Sequence, residues 1–364
     1  MKKNLVDVQL LRAIAALGVL IFHIESEILI RETVPAAALF SKAAWVGQAG
    51  VDLFFLISGF IMYYVHREDF GRPRSAGRFI LRRLVRIVPT YWLLTSVTVL
   101  GLVWLPHLFN SRTVDWDWIL ASYLFIPWRS PAGDISPPVG PGWTLNYEMY
   151  FYVIFSIALF LPRQAAIYSI SAFFVTAAIL GIFKAPDEPV IGLMTSSMLV
   201  EFVMGMWLAW AFCKGYELGK KSRWAVFALA LVLLAISPAL YTSGALQTWW
   251  RLVFFGLPAA GLISAILLAR ASANNGAAES KVEKLFIAIG DSSYALYITH
   301  IFTIRIARIC FERLYPSMTW PIKFILLFVS AVVVGHLFFI LVERPIFRFL
   351  KFRVISKKRI AIPA

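Results

Sequence analysis

The chain has 364 residues, 60% of them hydrophobic and 15% charged, with a mean hydropathy of +0.75 and a formal net charge of +15. A soluble domain carries about 25% charged residues, so this composition excludes one and predicts an all-α integral membrane protein. The positive charge does not imply a nucleic-acid partner, because it sits in short connections between apolar runs, where it orients a membrane protein.

A helix needs about 20 apolar residues to cross the hydrocarbon layer. Ten such runs fall at 7–28, 46–66, 85–107, 143–162, 165–183, 191–213, 223–242, 249–269, 285–310 and 320–342. With the N-terminus placed inside, the inner side holds 23 Lys and Arg and the outer side 10, which predicts that both termini are cytoplasmic. The opening MKKNLVDVQL is basic, but the run behind it lacks a small-residue cleavage site, so no cleaved leader is expected. No internal repeat or appended soluble segment is visible, and residues 1–364 read as a single transmembrane domain. Within it, the connection at 108–142 is the longest. Its Trp and Pro content predicts an ordered cap on the outer surface, with a plain long loop as the alternative.

A charged side chain at membrane depth costs at least about 2.5 kcal/mol on insertion scales, so the polar residues inside these runs need a reason. The first run, LLRAIAALGVLIFH, holds Arg12 and His23. Eleven residues apart, they project from one helix face, about 16.5 Å apart along the axis. Asp52 stands near the outer end of the second run and is expected at the depth of His23. A carboxylate there would fix the imidazole tautomer and stabilise its cation; a polar pair that merely holds two helices together is the alternative.

Arg78, Arg82, Arg83 and Arg86 cluster where the third run begins. Ordinary inner-loop charge explains part of this cluster, and guanidinium groups there also form a dock for phosphates arriving from the cytoplasm. At the outer end of the fourth run, PGWTLNYEMYFY carries Trp143, Asn146 and Glu148. That carboxylate is suited to a sugar hydroxyl or to an arginine. Glu201 lies deeper in the sixth run, without an evident partner. In the ninth run Tyr294, Tyr297 and His300 form a stripe at every third residue, suited either to helix packing or to a ligand. Trp116, Trp118 and Trp128 in the long connection are candidates to stack on sugar faces or to anchor the membrane interface. The two cysteines, Cys213 and Cys310, fall at the ends of different helices on opposite faces, so no disulfide is expected between them. No P-loop, dinucleotide glycine pattern, Cys/His metal cluster or nucleophile elbow occurs, and no metal is expected.

Six segments, in order along nearly the whole chain, carry a resemblance. They are the Arg12-to-His23 spacing, GVDLFFLISGF (50–60), RRLVRIVPTYW (82–92), WTLNYEMYFY (143–152), SSYALYITH (292–300) and VERPIFRF (342–349). Together they resemble the membrane acyltransferase 3 family, which acylates bacterial surface and exported carbohydrates. WTLNYEMYFY is most similar to the exopolysaccharide-modifying branch. The branch with a fused extracytoplasmic domain usually has two adjacent acids there, whereas Met149 follows Glu148 here. The resemblance implies a ten-helix core in the bacterial inner membrane, acyl-coenzyme A (acetyl-coenzyme A first) as donor, and a glycan or lipid-linked sugar as acceptor. It also implies His23 as the catalytic residue, with Arg12 and the Arg83–Arg86 pair serving the donor. Taken with this resemblance, the expected catalytic set is His23, Asp52 and Glu148. Arg12, Arg82, Arg83 and Arg86 hold the donor, and Asn146, Trp143, Tyr297 and His300 the acceptor. The competing class is a proton-coupled transporter or flippase using the buried His, Asp and Glu as a relay. Against it stand the absence of matched Gly/Pro-broken helices and the inward-facing arginine cluster.

Overall fold

A computed structural model describes residues 3–29, 44–104, 113–183, 188–240, 247–269 and 280–352. The ends of the predicted third and seventh spans (105–107 and 241–242), the first residues of the 108–142 connection (108–112) and the extreme termini lie outside the described residues. Among the described residues every regular element is helical; the one β feature is an isolated bridge between Leu218 and Ala269. With no water in the hydrocarbon layer, a spanning segment satisfies its backbone within itself, and a helix does so.

By its internal contacts the chain divides into two compact units, the first formed by residues 1–66 and 197–336 and the second by 67–196 and 337–364. In the first unit, α1 (Lys3–Leu29) packs against α2 (Ala49–His66), which packs most extensively on a helix from much later in the chain. In the second unit, α3 (Pro73–Trp104), α4 (Trp116–Tyr123), α5 (Trp143–Ala158), α6 (Arg163–Phe183) and α7 (Pro189–Met194) follow. The chain then returns to the first unit with α8 (Leu199–Cys213), α9 (Lys220–Ile236), α10 (Gln247–Arg251), α11 (Leu257–Leu267), α12 (Lys281–Asp291), α13 (Ser293–Leu314) and α14 (Trp320–Phe338). It ends in the second unit with α15 (Arg344–Leu350), packed on α3.

The partner of α2 is α8. Gly59 and Gly205 let the two backbones touch: a Cβ on Gly59 would lie 2.0 Å from the Phe202 carbonyl oxygen, and one on Gly205 2.0 Å from that of Leu56. Small residues at such crossings are how helices associate where lipid offers no hydrophobic contrast. Phe55 stacks on Phe202 with ring centroids 4.6 Å apart, filling the remainder of the seam.

Among the described residues, nine segments are long and apolar enough to cross a membrane. They match nine of the ten predicted runs. The remaining one, 143–162, is α5, which stops after 16 residues, about 24 Å at 1.5 Å per residue and short of a full crossing. The predicted 285–310 run is interrupted at Ser292, where α12 ends and α13 begins. Conversely, α3 has 32 residues, so it starts well before the apolar run and its first turns extend past a 30 Å layer.

Two π-helical turns, Leu252–Gly256 and Phe339–Glu343, each precede a proline by two residues, Pro258 and Pro345. Proline has no N–H for the carbonyl four residues back and its ring crowds that carbonyl. A π turn is the local rearrangement that keeps the helix continuous through it. Both turns adjoin a member of an ion pair, Arg251 before the first and Glu343 at the end of the second.

In the 108–142 connection, the described part is ordered. Asp115 caps α4 through its side chain, and Trp118, 1% exposed, donates its indole N–H to the Ser136 carbonyl at 2.8 Å. Trp118 is therefore committed inside this segment, whereas Trp116 and Trp128 are exposed.

Candidate active site

His23 lies near the end of α1, half-buried. Its Nδ1 is 2.9 Å from the carbonyl oxygen of Val19, one turn earlier. A carbonyl can only accept, so Nδ1 carries the proton and Nε2 keeps its lone pair. His300 on α13 repeats the arrangement, with Nδ1 3.2 Å from the Leu296 carbonyl. The two imidazoles meet edge to face with centroids 4.8 Å apart. Tyr297 is 6.0 Å from the His300 ring and 5.7 Å from Phe54. His300 and Tyr297 are both buried, so the stripe in the ninth run forms a packed wall behind His23. Arg12, three turns below His23 on α1, is half-buried.

The expected His23–Asp52 couple is not formed. Asp52 is fully buried, and its Oδ2 accepts from Arg251 Nη2 at 2.7 Å. Helix register explains the difference. A Cβ on Gly47 would meet the Gly18 carbonyl oxygen, and one on Gly50 that of Ala15. The chain therefore re-enters beside the middle of α1, and Asp52 falls about 15 Å from the level of His23 at 1.5 Å per residue. His23 is oriented by its own helix backbone instead.

In the second unit α3 and α5 run antiparallel, with Phe79 facing Tyr152 and Phe155 while Tyr91 faces Gly142. This brings together two groups expected at opposite ends of their runs, the arginines at the cytoplasmic start of the third and Glu148 at the outer end of the fourth. Arg83 lies over the rings of Phe79 and Tyr152, 5.8 and 5.9 Å from their centroids. The Tyr152 hydroxyl donates to Glu148 Oε2 at 3.2 Å. Of the two partners open to Glu148, the structure thus brings it to an arginine's neighbourhood. Asn146 is buried, and Trp143 packs edge-on against Tyr147.

The three arginines of α3 expected to hold the donor differ. Arg82 is exposed. The Nε of Arg83 is buried with no acceptor among the described residues. Arg86 has a partner: its Nη1 is 3.2 Å from Glu343 Oε1, a carboxylate 1% exposed, and its guanidinium lies 5.6 Å over Phe347. Its first task is to neutralise a buried charge, because an unpaired carboxylate there would be costly.

Arg251 and Glu343 were missed as partners. The signal that singled out Arg12, a charge inside an apolar run, also applied to Arg251 in QTWWRLVFF. Cys213 and Cys310 are both exposed, and neither is in a disulfide.

The first unit thus holds a histidine with its tautomer set by its own helix, and the second an arginine lying over two aromatic rings. The family model described as "Acyltransferase domain" matches residues 5–340, and the chain belongs to this acyltransferase 3 family. Among curated relatives, the exopolysaccharide production protein ExoZ of Rhizobium meliloti is 33% identical over 83% of this chain and 90% of its own. Acyltransferase MdmB of Streptomyces mycarofaciens is 24% identical over 93% of this chain and 91% of its own. A putative membrane-bound transacylase, BcsY of Komagataeibacter xylinus, is 30% identical over 38% of this chain and 39% of its own. No solved structure matches. The protein is a multi-pass membrane acyltransferase.

Proposed function

We propose that this acyltransferase moves an acyl group, acetyl first, from cytoplasmic acyl-coenzyme A to a hydroxyl of an exported glycan or lipid-linked sugar at the bacterial inner membrane. The observation that carries this reading is the locked tautomer of His23: with its proton held on Nδ1 by the Val19 carbonyl, Nε2 is a ready base. Membership of an acyltransferase family favours an enzyme over the transporter alternative. Similarity to a protein named for exopolysaccharide production points to a glycan acceptor.

In this mechanism, Nε2 of His23 takes the acceptor hydroxyl proton as that oxygen attacks the thioester carbonyl. The carbon–sulfur bond breaks, and Nε2 returns the proton to the departing thiolate. The Nδ1–H bond holds the ring through both transfers, and the His300 ring limits its rotation. An anionic donor head needs guanidinium groups with uncommitted N–H, which Arg83 offers at Nε and the exposed Arg82 at its whole fork. Arg12 serves the arm between head and thioester. Glu148, through Tyr152, orients the Arg83 face rather than carrying the chemistry, and Asn146 and Trp143 remain the proposed acceptor contacts.

The test is release of free coenzyme A from acetyl-coenzyme A by purified protein in detergent, dependent on added glycan acceptor. Wild-type protein that leaves the thioester intact with every glycan or lipid-linked sugar supplied would overturn the proposal.

A further inference from the structure

Arg251 ends α10 immediately before a π turn, and its guanidinium faces three groups. Nη2 donates to Asp52 Oδ2 at 2.7 Å and to the Gln48 carbonyl at 3.1 Å, while the guanidinium carbon lies 5.3 Å over Phe255. Across the same space, the first turn of α8 supplies Glu201, which like Asp52 is fully buried. Gly256, the last residue of the π turn, makes room for it: a Cβ there would stand 2.8 Å from Glu201 Oε1.

The hydrogen-bond count at this cluster does not close with both acids ionised. No N–H or hydroxyl among the described residues reaches Asp52 Oδ1 or either oxygen of Glu201. Yet the two carboxyl groups stand at one helix crossing: each lies one turn before the point where Gly205 meets the Leu56 carbonyl, beside the Phe55–Phe202 stack, and both close on the Arg251–Gly256 stretch. Two carboxylates cannot bond, since both only accept; a carboxylic acid and a carboxylate can. Charge gives the same answer. Two ionised acids and one guanidinium would leave a net negative charge in an apolar interior, whereas one added proton makes the cluster neutral.

We propose that Asp52, Glu201 and Arg251 form a proton-holding site in which Glu201 is a carboxylic acid donating to Asp52, itself ion-paired with Arg251. The site is a positioning device for the acyltransferase: it fixes α2 and α8 to the π turn before α11. Asp52 therefore acts through Arg251 and the helix frame, about three turns along α1 from the level of His23, and not on the imidazole. This rests on the proposed acyl transfer only for its activity arm.

Infrared difference spectroscopy of the full-length protein in detergent tests the proton directly. Wild type should show a protonated-carboxyl C=O band that shifts in deuterated water and is missing in Glu201→Gln. That variant should keep wild-type thermal stability and turnover within about twofold, because a neutral amide replaces a neutral acid and can still donate to Asp52. Asp52→Asn and Arg251→Met should each lower thermal stability, and the double variant, neutral again, should recover most of it together with acyl transfer. Loss of the band's dependence on Glu201, or a Glu201→Gln protein as unstable as Arg251→Met, overturns the proton assignment. A double variant that is stable and binds donor but is inactive overturns the positioning role. The spectroscopic and thermal readouts do not depend on which substrates the enzyme uses, so failure of the proposed reaction is separately visible.

Discussion

His23 and His300 stand ring to ring, centroids 4.8 Å apart, each holding its Nδ1 proton on the carbonyl four residues earlier in its own helix. The pair separates the two jobs of a catalytic histidine's surroundings. The backbone selects the tautomer, and the neighbouring ring restricts orientation. His23→Ala should lower turnover by about 10²–10⁴-fold, the range of a general base, with donor affinity retained. His300→Phe, which keeps a ring of similar size, should cost less than about tenfold, and His300→Ala more. Steady-state turnover with acetyl-coenzyme A checks the order; a His23→Ala protein with near-normal turnover would remove it as the base.

Arg83 can be separated from its supports. Arg83→Ala should weaken donor binding at least tenfold, and Arg83→Lys should restore it only in part, because the planar fork that lies over Phe79 and Tyr152 is lost. Tyr152→Phe keeps the ring and removes the bond to Glu148, so its effect should be smaller than that of Tyr152→Ala. Calorimetric titration with coenzyme A ranks the four variants; equal affinity in all of them would show that Arg83 does not meet the donor.

Arg86 and Glu343 give the opposite expectation. Arg86→Met leaves a carboxylate 1% exposed without its counter-ion, a change that costs about 3 kcal/mol when a buried pair is broken from one side. The double variant Arg86→Met/Glu343→Leu should recover most of the lost thermal stability. Donor affinity measured in the double variant decides the residue's second role: affinity like wild type makes Arg86 structural, and a tenfold loss makes it a donor contact as well.

Sidedness follows from charge rather than from contacts. In sealed vesicles of known orientation, transfer should occur only with acetyl-coenzyme A on the side of the termini and the glycan acceptor on the other. Transfer that requires both substrates on the terminal side would refute movement of the acyl group across the membrane, even with His23 essential.

Much of the frame was legible without coordinates. Nine apolar runs became spanning-length helices because a backbone in hydrocarbon has no other local way to satisfy its polar groups. The run at 143–162 was overestimated because apolar composition continues past Ala158 where the helix does not. The interruption at Ser292 is invisible to hydropathy, since neighbouring residues stay apolar through it.

Partners were another matter. The sequence alone determined that Arg12, His23, Asp52, Glu148 and Glu201 are costly where they stand and must be compensated. It also determined the family, through six ordered segments that match it. Only the tertiary structure decided who compensates whom: Asp52 with Arg251, 199 residues away, Arg86 with Glu343, and Glu148 beside Arg83 through Tyr152. The need for a counter-charge is local, because burial removes water from each group. Its identity depends on helix register and rotation, which are set by close contacts such as Gly50 on Ala15 and Gly59 on Phe202. A shift of about three turns between α1 and α2 was enough to take Asp52 away from His23.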